Sequence, residues 1–579
     1  MQKSPKKHFS NLLGIITFME ILLVCGVGAS DAQKNVVDIR NIGHRNWKME
    51  TFSIDKKLDL NIEARGAGDR WHDYMYAYAW ILDAQSRDVV WEMNLDNTHE
   101  RSRRRELEYE GSLTLPEGDY EVYFAISPFN YKDIHIEGLG ELLDGLFRGF
   151  KEKRYSRDWG ITIEVQNEKD MKYVHEYDPK RRDERVIVQM TRMDDDEIRK
   201  EGFRLKEPMT VRVYAIGEGS RSDREMYDYG WIVDTKTRER IWEMTPRNTD
   251  HSGGADKNLQ YDDEITLSAG SYMVYYVTDG SHSYERWNAQ PPYDPTHWGI
   301  TLWGARSDFS PQYIVPYEES EERTPVVEII RMRDDEFESH GFTLTRPGNL
   351  HIYAFGEYSS GRFFDYGGII DAQTRVKVWD MTRWNTRHAG GAEKNRLFDD
   401  IVHFEAGDYI VYYITDGSHA YRSWNAGPPY DPESWGITIW ATDDGFTQDD
   451  VLEYREREDP DILVNLTSLG NRERRRDRFY LDKTTKIRVH AIGEGDRDEM
   501  YDYGWIEDDR GRIVWEMTYR NTEHAGGARK NRLFNDTIIL ETGDYEVHFV
   551  TDGSHSFEKW NSNPPDDPFH WGIIVMKED

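Results

Sequence analysis

Cysteine is nearly absent from this chain of 579 residues: the one thiol is Cys25. A lone thiol leaves no disulfide framework and no thiolate metal cluster. Basic charge is short as well. Lys and Arg number 74 against 108 Asp and Glu, for a net charge of −34. That balance argues against a nucleic-acid-binding surface, which rests on neutralising phosphates with Lys and Arg. Beyond residues 12–27 there is no apolar run long enough to span a bilayer. Phosphate-binding glycine loops and strand-turn-helix serine elbows are missing too.

What is present begins with an export signature over residues 1–32. Lys3, Lys6 and Lys7 precede an apolar stretch from Leu12 to Val27, and Gly28, Ala29 and Ser30 follow it. Glu20 interrupts the stretch, which suits a cleaved signal better than a membrane span. Leu23 and Val24 stand before Cys25, where a lipoprotein signal calls for small residues. The mature chain is therefore expected to lack cysteine and a membrane span. Its expected location is periplasmic, secreted or at the cell surface.

Repetition dominates the rest. Tyr227–Ile232 reads YDYGWI, Tyr501–Ile506 repeats it, and Phe364–Ile369 reads FDYGGI. Thr278–His282 reads TDGSH and recurs at Thr415–His419 and Thr551–His555, a period of about 137 residues. A period that long describes domains with their own cores rather than a solenoid. A divergent first copy keeps Trp80, Trp91-Glu92-Met93 and Trp159-Gly160-Ile161. Four modules follow, at 33–178, 185–317, 324–454 and 460–579. Short alternating runs such as Val211–Ala215, set between Gly, Asp and Asn turns, predict antiparallel β-sandwich or jelly-roll-like domains. Leu139, Leu142, Leu143, Leu146, Phe147 and Phe150 recur at helical spacing and predict one short helix inserted in the first module.

Comparing the copies separates two classes of residue. Positions kept in all four belong to the fold. Positions that modules 2–4 share and module 1 loses together are candidates for a common site. In module 2 these are Glu218, Asp228, His251, Lys257, Asn258, Asp279, His282, Trp287 and Asn288. In module 3 they are Glu357, Asp365, His388, Lys394, Asn395, Asp416, His419, Trp424 and Asn425. In module 4 they are Glu494, Asp502, His524, Lys530, Asn531, Asp552, His555, Trp560 and Asn561. Module 1 holds Ala67 and Ala77 at the first two positions. All lie at strand ends or in loops, where a sandwich presents its binding surface.

Three carboxylates and two imidazoles crowd unfavourably unless Lys, hydrogen bonds or a cation compensates. The acids offer hard oxygens for calcium; adding a histidine would favour another divalent cation. The Trp-Asn-x-x-Pro-Pro segments offer flat rings beside amides, which suits a polysaccharide or a protein ligand. No catalytic residue is assigned. The leading expectation is an exported, non-catalytic binding protein. The alternatives are a structural spacer with hydrogen-bonded loops and a metal-dependent or hydrolytic enzyme. The run Val211–Glu218, the Gly-Asp-Tyr strand and the Asp-Gly-Ser turn resemble bacterial pre-peptidase C-terminal domains. Those are secreted jelly-roll-like accessory modules attached to extracellular hydrolases. The resemblance covers each copy and implies accessory binding, though here no catalytic domain accompanies the modules.

Overall fold

The computed structural model describes residues 34–42, 47–71, 73–100, 106–126, 158–179, 183–305, 309–317, 324–442, 450–454, 461–497 and 499–578. The export segment and the predicted helix of module 1 lie outside the described residues.

Modules 2 and 4 each fold as two antiparallel sheets, and in modules 1 and 3 pairing of Leu58–Asp69 with Tyr74–Asp83 and of Gly348–Ser359 with Arg362–Asp371 joins the two into one ten-stranded sheet. In module 2 one sheet runs Val186–Thr191, Gly299–Gly304, Met209–Ser220, Asn258–Leu267. The other runs Arg240–Glu243, Tyr229–Asp234, Gly270–Val277, Ile198–Leu205. The chain thus changes sheet repeatedly, and no two neighbours in a sheet are consecutive except across tight turns. Alternation explains the packing. Val211, Val213 and Ala215 point inward from one sheet, Ile232 and Val274 from the other, and all are buried. Each such valine or isoleucine contributes roughly 1.5–3 kcal/mol by leaving water. Trp298, wholly buried, closes one end of the core.

Residues kept in all four copies hold turns. Asp234 Oδ1 accepts from the backbone N–H of Lys236 and Thr237 at 2.9 Å each. Asn248 Nδ2 donates to the Glu243 carbonyl at 2.9 Å, and Thr249 Oγ1 to the Thr245 carbonyl at 3.0 Å. Both are side-chain substitutes for backbone turn bonds.

The modules are joined head to tail by a repeated plug. Arg87, at a turn of module 1, forks between Glu121 of its own module and Asp294 of module 2, with contacts of 2.7–3.1 Å. Trp80 Nε1 beside it donates to the Tyr293 carbonyl at 2.5 Å. Module 2 repeats the device on module 3. Arg238 Nη1 reaches Asp431 Oδ2 at 3.1 Å, and Trp231 Nε1 donates to the Tyr430 carbonyl at 2.7 Å. The third joint differs: Gly368 replaces the tryptophan, and Lys377 Nζ meets Asp566 Oδ1 at 2.8 Å.

Modules 1 and 4 each carry one half of this device. Module 1 has Tyr155 where modules 2–4 have the Asp of Asp-Pro. In module 4 the turn is one residue shorter. Gly511 there bonds back to the Asp508 carbonyl at 2.9 Å, as Arg238 bonds back to Asp234 at 2.9 Å.

Candidate functional site

Glycine creates the closest approach in the site. At Gly217 a β-carbon would stand 2.0 Å from the Asp228 carbonyl oxygen. Only a residue without one lets the long Met209–Ser220 strand cross so near the next segment. That crossing sets Glu218 beside Asp228, whose backbone N–H donates to the Glu218 carbonyl at 3.1 Å. The Asp279 backbone N–H then donates to Asp228 Oδ1 at 2.8 Å, and Trp298 Nε1 to Asp228 Oδ2 at 3.1 Å. Carboxylate oxygens of Glu218, Asp228 and Asp279 all lie within 4.8 Å of one another. The same triad forms from Glu357, Asp365 and Asp416, and from Glu494, Asp502 and Asp552.

These groups are buried and incompletely satisfied. Glu218, Glu357 and Glu494 are each 6% exposed, and Asp228, Asp365 and Asp502 are fully covered. Lys257 Nζ donates to Glu218 Oε1 at 3.0 Å, Lys394 to Glu357 Oε1 at 3.0 Å, and Lys530 pairs with Glu494 at 2.9 Å. The other oxygen, Oε2, has no hydrogen-bond partner in any of the three. Burial pushes the Glu218 carboxyl up, and Lys257 only partly pulls it back. Burial also lifts Asp228 and Asp365 well above the ordinary carboxylate range, with Asp279 and Asp416 adding repulsion. Asp502 is pushed up to about 7, again first by burial. A set of hard oxygens starved of positive charge could hold a divalent ion such as calcium.

A second network stands next to the first. Asn258 Nδ2 donates to the carbonyls of Gly253 and Gln290 at 2.8 and 2.9 Å. Its Oδ1 must therefore accept, and His282 Nε2 donates to it at 2.7 Å. His419 and Asn395, and His555 and Asn531, make the same bond at 2.6 Å each. Burial, then the charge of the neighbouring lysine, lowers all three histidines to about 3. They are neutral spacers at neutral pH. The loop they hold demands glycine: Gly254 has φ +69°, and a β-carbon there would meet the Pro291 carbonyl at 2.0 Å.

Lys257 links the two networks, because its ammonium also donates to Asn288 Oδ1 at 2.7 Å. Lys394 and Lys530 reach Asn425 and Asn561 at 2.6 Å each. Trp287 packs edge-to-face on His282 and Trp298, with ring centroids 5.1 and 4.9 Å away. Trp424 and Trp560 pack likewise on Trp435 and Trp571 at 5.0 and 5.1 Å.

Most of the sequence candidates therefore meet at one end of each module. The exposed His251, His388 and His524 lie apart from the acids. Each ring Nε2 is 3.1 Å from a carbonyl of the glycine loop, that of Ala255, Ala392 or Ala528. One acid escaped the sequence comparison. The charge of Asp195 helps to lift Glu218, as Asp334 lifts Glu357. Asp195 Oδ1 and Asp334 Oδ1 are buried without a hydrogen-bond partner. Module 4 has Asn471 there, and Ser556 Oγ donates to its Oδ1 at 2.5 Å. The change to Asn in one copy hid the position from a rule that required all three to agree.

Module 1 shows what the same fold does without the acids. Ala67 and Ala77 pair across the equivalent strands and are fully buried. Apolar packing replaces the charged pocket outright.

The third acid of the triad also faces a neighbour. Asp279, Gly280 and Tyr227 of module 2 line a cleft of about 1300 Å³ together with Trp424, Asn425 and Pro428 of module 3. Asp416, Gly417 and Phe364 of module 3 line one of about 230 Å³ with Trp560, Asn561 and Pro564 of module 4. The two halves of the shared motif set therefore meet between modules as well as within one.

No protein-family model matches the chain, and no curated protein does. Among solved structures it shows similarity to one containing the CBM32-1, CBM32-2 and M60 catalytic domains of Clostridium perfringens ZmpB. The two are 8% identical with a TM-score of 0.13, over 65% of this chain and 51% of that one. This chain thus matches about half the length of that structure, and an overlap that slight carries no argument about function.

Proposed function

We propose that the chain is an exported, non-catalytic binding protein that holds an extended polysaccharide or protein ligand in the clefts between its modules. The observation that carries this is the recurrence of one pairing. The Asp-Gly turn of one module and the Trp-Asn-x-x-Pro-Pro loop of the next line a shared cleft, at both the second and third joints. Calcium seated in the acid triads would fix the Asp279 and Asp416 turns that line those clefts. Repeated sites along one chain add avidity for a repeating ligand. The resemblance to accessory modules of secreted hydrolases accords with this reading. The buried Arg87 joint favours the spacer reading for the first two modules, whose contribution would then be reach.

The test is a glycan array and surface-protein capture with the mature chain, followed by titration of the best ligand. Tyr227→Ala combined with Phe364→Ala removes an aromatic edge from each cleft. The expected result is a weakening of about tenfold or more, the scale of one hot-spot side chain. Melting should change little, since neither ring belongs to the buried core. Unchanged affinity in the double variant, or no ligand in either panel, would defeat the proposal.

A further inference from the structure

The three joints solve the same electrostatic problem in different ways. Asp294, Asp431 and Asp567 occupy one position at successive joints, at 2–4% exposure. A carboxylate buried that deeply needs a compensating positive charge and a full set of hydrogen bonds. Asp294 receives the Arg87 guanidinium and the Tyr214 hydroxyl, the latter at 3.0 Å. Asp431 receives Arg238 and the Tyr353 hydroxyl, the latter at 3.2 Å.

Module 4 departs from both other modules at one position and shares a histidine with module 2 at a second. His490 stands where Tyr214 and Tyr353 stand, and His570 where His297 and Ser434 stand. The result leaves two polar atoms stranded. His570 Nδ1 pairs with Asp567 Oδ2 at 2.6 Å, but Asp567 Oδ1 has no hydrogen-bond partner. His490 Nε2, on a side chain at 9% exposure, has none either. The His490 and His570 rings meet edge-to-face at 5.6 Å. Ligand atoms of His490, Asp567 and His570 all lie within 4.8 Å of one another. Arg375, at the turn equivalent to Arg87 and Arg238, helps through its charge to lower the Asp567 carboxyl.

We propose that His490, Asp567 and His570 form a site for a zinc-type divalent transition ion at the joint of modules 3 and 4. Two imidazoles and one carboxylate are a donor set that such ions prefer, whereas calcium prefers the all-oxygen triads. The ion would add a directly bonded positive charge to a carboxylate at 4% exposure. It also gives His490 Nε2 and Asp567 Oδ1 the partner each lacks. The 2.6 Å approach of His570 Nδ1 to Asp567 Oδ2 brings two of the donors to one side of the site. This site is distinct in residues and in donor chemistry from the acid triads, and it does not depend on the ligand-binding reading.

The full chain, stripped of metal and kept in excess calcium, is titrated with cobalt(II). One equivalent is expected to produce the visible absorption of a low-coordinate site with nitrogen ligands, and zinc is expected to bleach it. His490→Tyr with His570→Ser installs the residues that module 3 holds at these positions. That variant should fold, by circular dichroism, and lose the band. A second variant, His570→Ser alone, should weaken cobalt binding by tenfold or more. No band at one equivalent, an undiminished band in the double variant, or displacement by calcium as readily as by zinc would overturn the site. Should the double variant misfold, the wild-type titration and the single variant decide the matter.

Discussion

Replacing Arg87 with alanine is expected to destabilise the first joint by about 3–5 kcal/mol, the range for an uncompensated buried charge. The side chain of Arg87 is 4% exposed, and its partners Glu121 and Asp294 are 3% and 2% exposed. Removing the guanidinium strands two carboxylates side by side. Burial pushes Asp294 up, yet Arg87 and then His297 pull it below the ordinary carboxylate range. A depressed acid stabilises the fold above its unfolded pKa of about 3.9, and that stability is lost as pH falls below it. The variant should therefore lose stability at neutral pH and lose part of its acid sensitivity too. Denaturation of the full chain at pH 3 and pH 7 measures both. Arg238→Ala serves as the comparison. Its side chain is 40% exposed and its loss strands one buried carboxylate, Asp431, rather than two, so a smaller loss is expected than for Arg87. Equal losses from the two variants would show that burial of Arg87 does not set the strength of the joint.

Calcium at a hundredfold excess over its Kd is expected to stabilise each of modules 2, 3 and 4 by about 2.7 kcal/mol. Module 1, with Ala67 and Ala77 in place of the acids, should gain nothing. The effect should depend on pH in a defined direction. Asp502 is pushed up to about 7 by burial, then by Asp552 and Glu494, so the folded chain binds its proton more tightly than the unfolded chain. Its contribution to stability is complete below about 3.9 and is lost as pH rises through about 7. Calcium competes with that proton, so its stabilisation should be large at pH 8 and small at pH 5. The buried histidines titrate the opposite way. Lowered to about 3, His282, His419 and His555 stabilise the fold above their unfolded value near 6.5. Their contribution is present with and without the ion, so the difference between paired melts isolates the acids. Asp228→Asn, Asp365→Asn and Asp502→Asn together should abolish the calcium shift. A chelator that leaves the wild-type melt unmoved at pH 8 would rule out ion binding in the triads.

Some of this architecture can be read without coordinates. The alternation in Val211–Ala215 and its counterparts predicts β structure, because a strand buried on one side repeats every second residue. The joint loss of Glu218, Asp228 and Asp279 equivalents in module 1 signals a shared site, since buried acids tolerate one another only as a set. The plug at the joints was legible in principle. Arg87, Arg238 and Arg375 appear in modules 1–3, while the Asp of Asp-Pro appears in modules 2–4. That offset by one module is the signature of a donor meeting an acceptor in the next unit. A comparison that asks only which positions agree within a copy passes over it.

The chain by itself determined the antiparallel β-sandwich class and pointed to the three acids that change together, because periodicity, repetition and joint substitution are properties of order along a polymer. Tertiary structure decided the rest. It left His251 outside the triad, brought Asp195 towards it, and set Trp424 of one module into a cleft with Asp279 of another. Those outcomes depend on where loops cross and how whole modules dock, which rests on contacts between residues more than a hundred positions apart and has no period for a sequence to display.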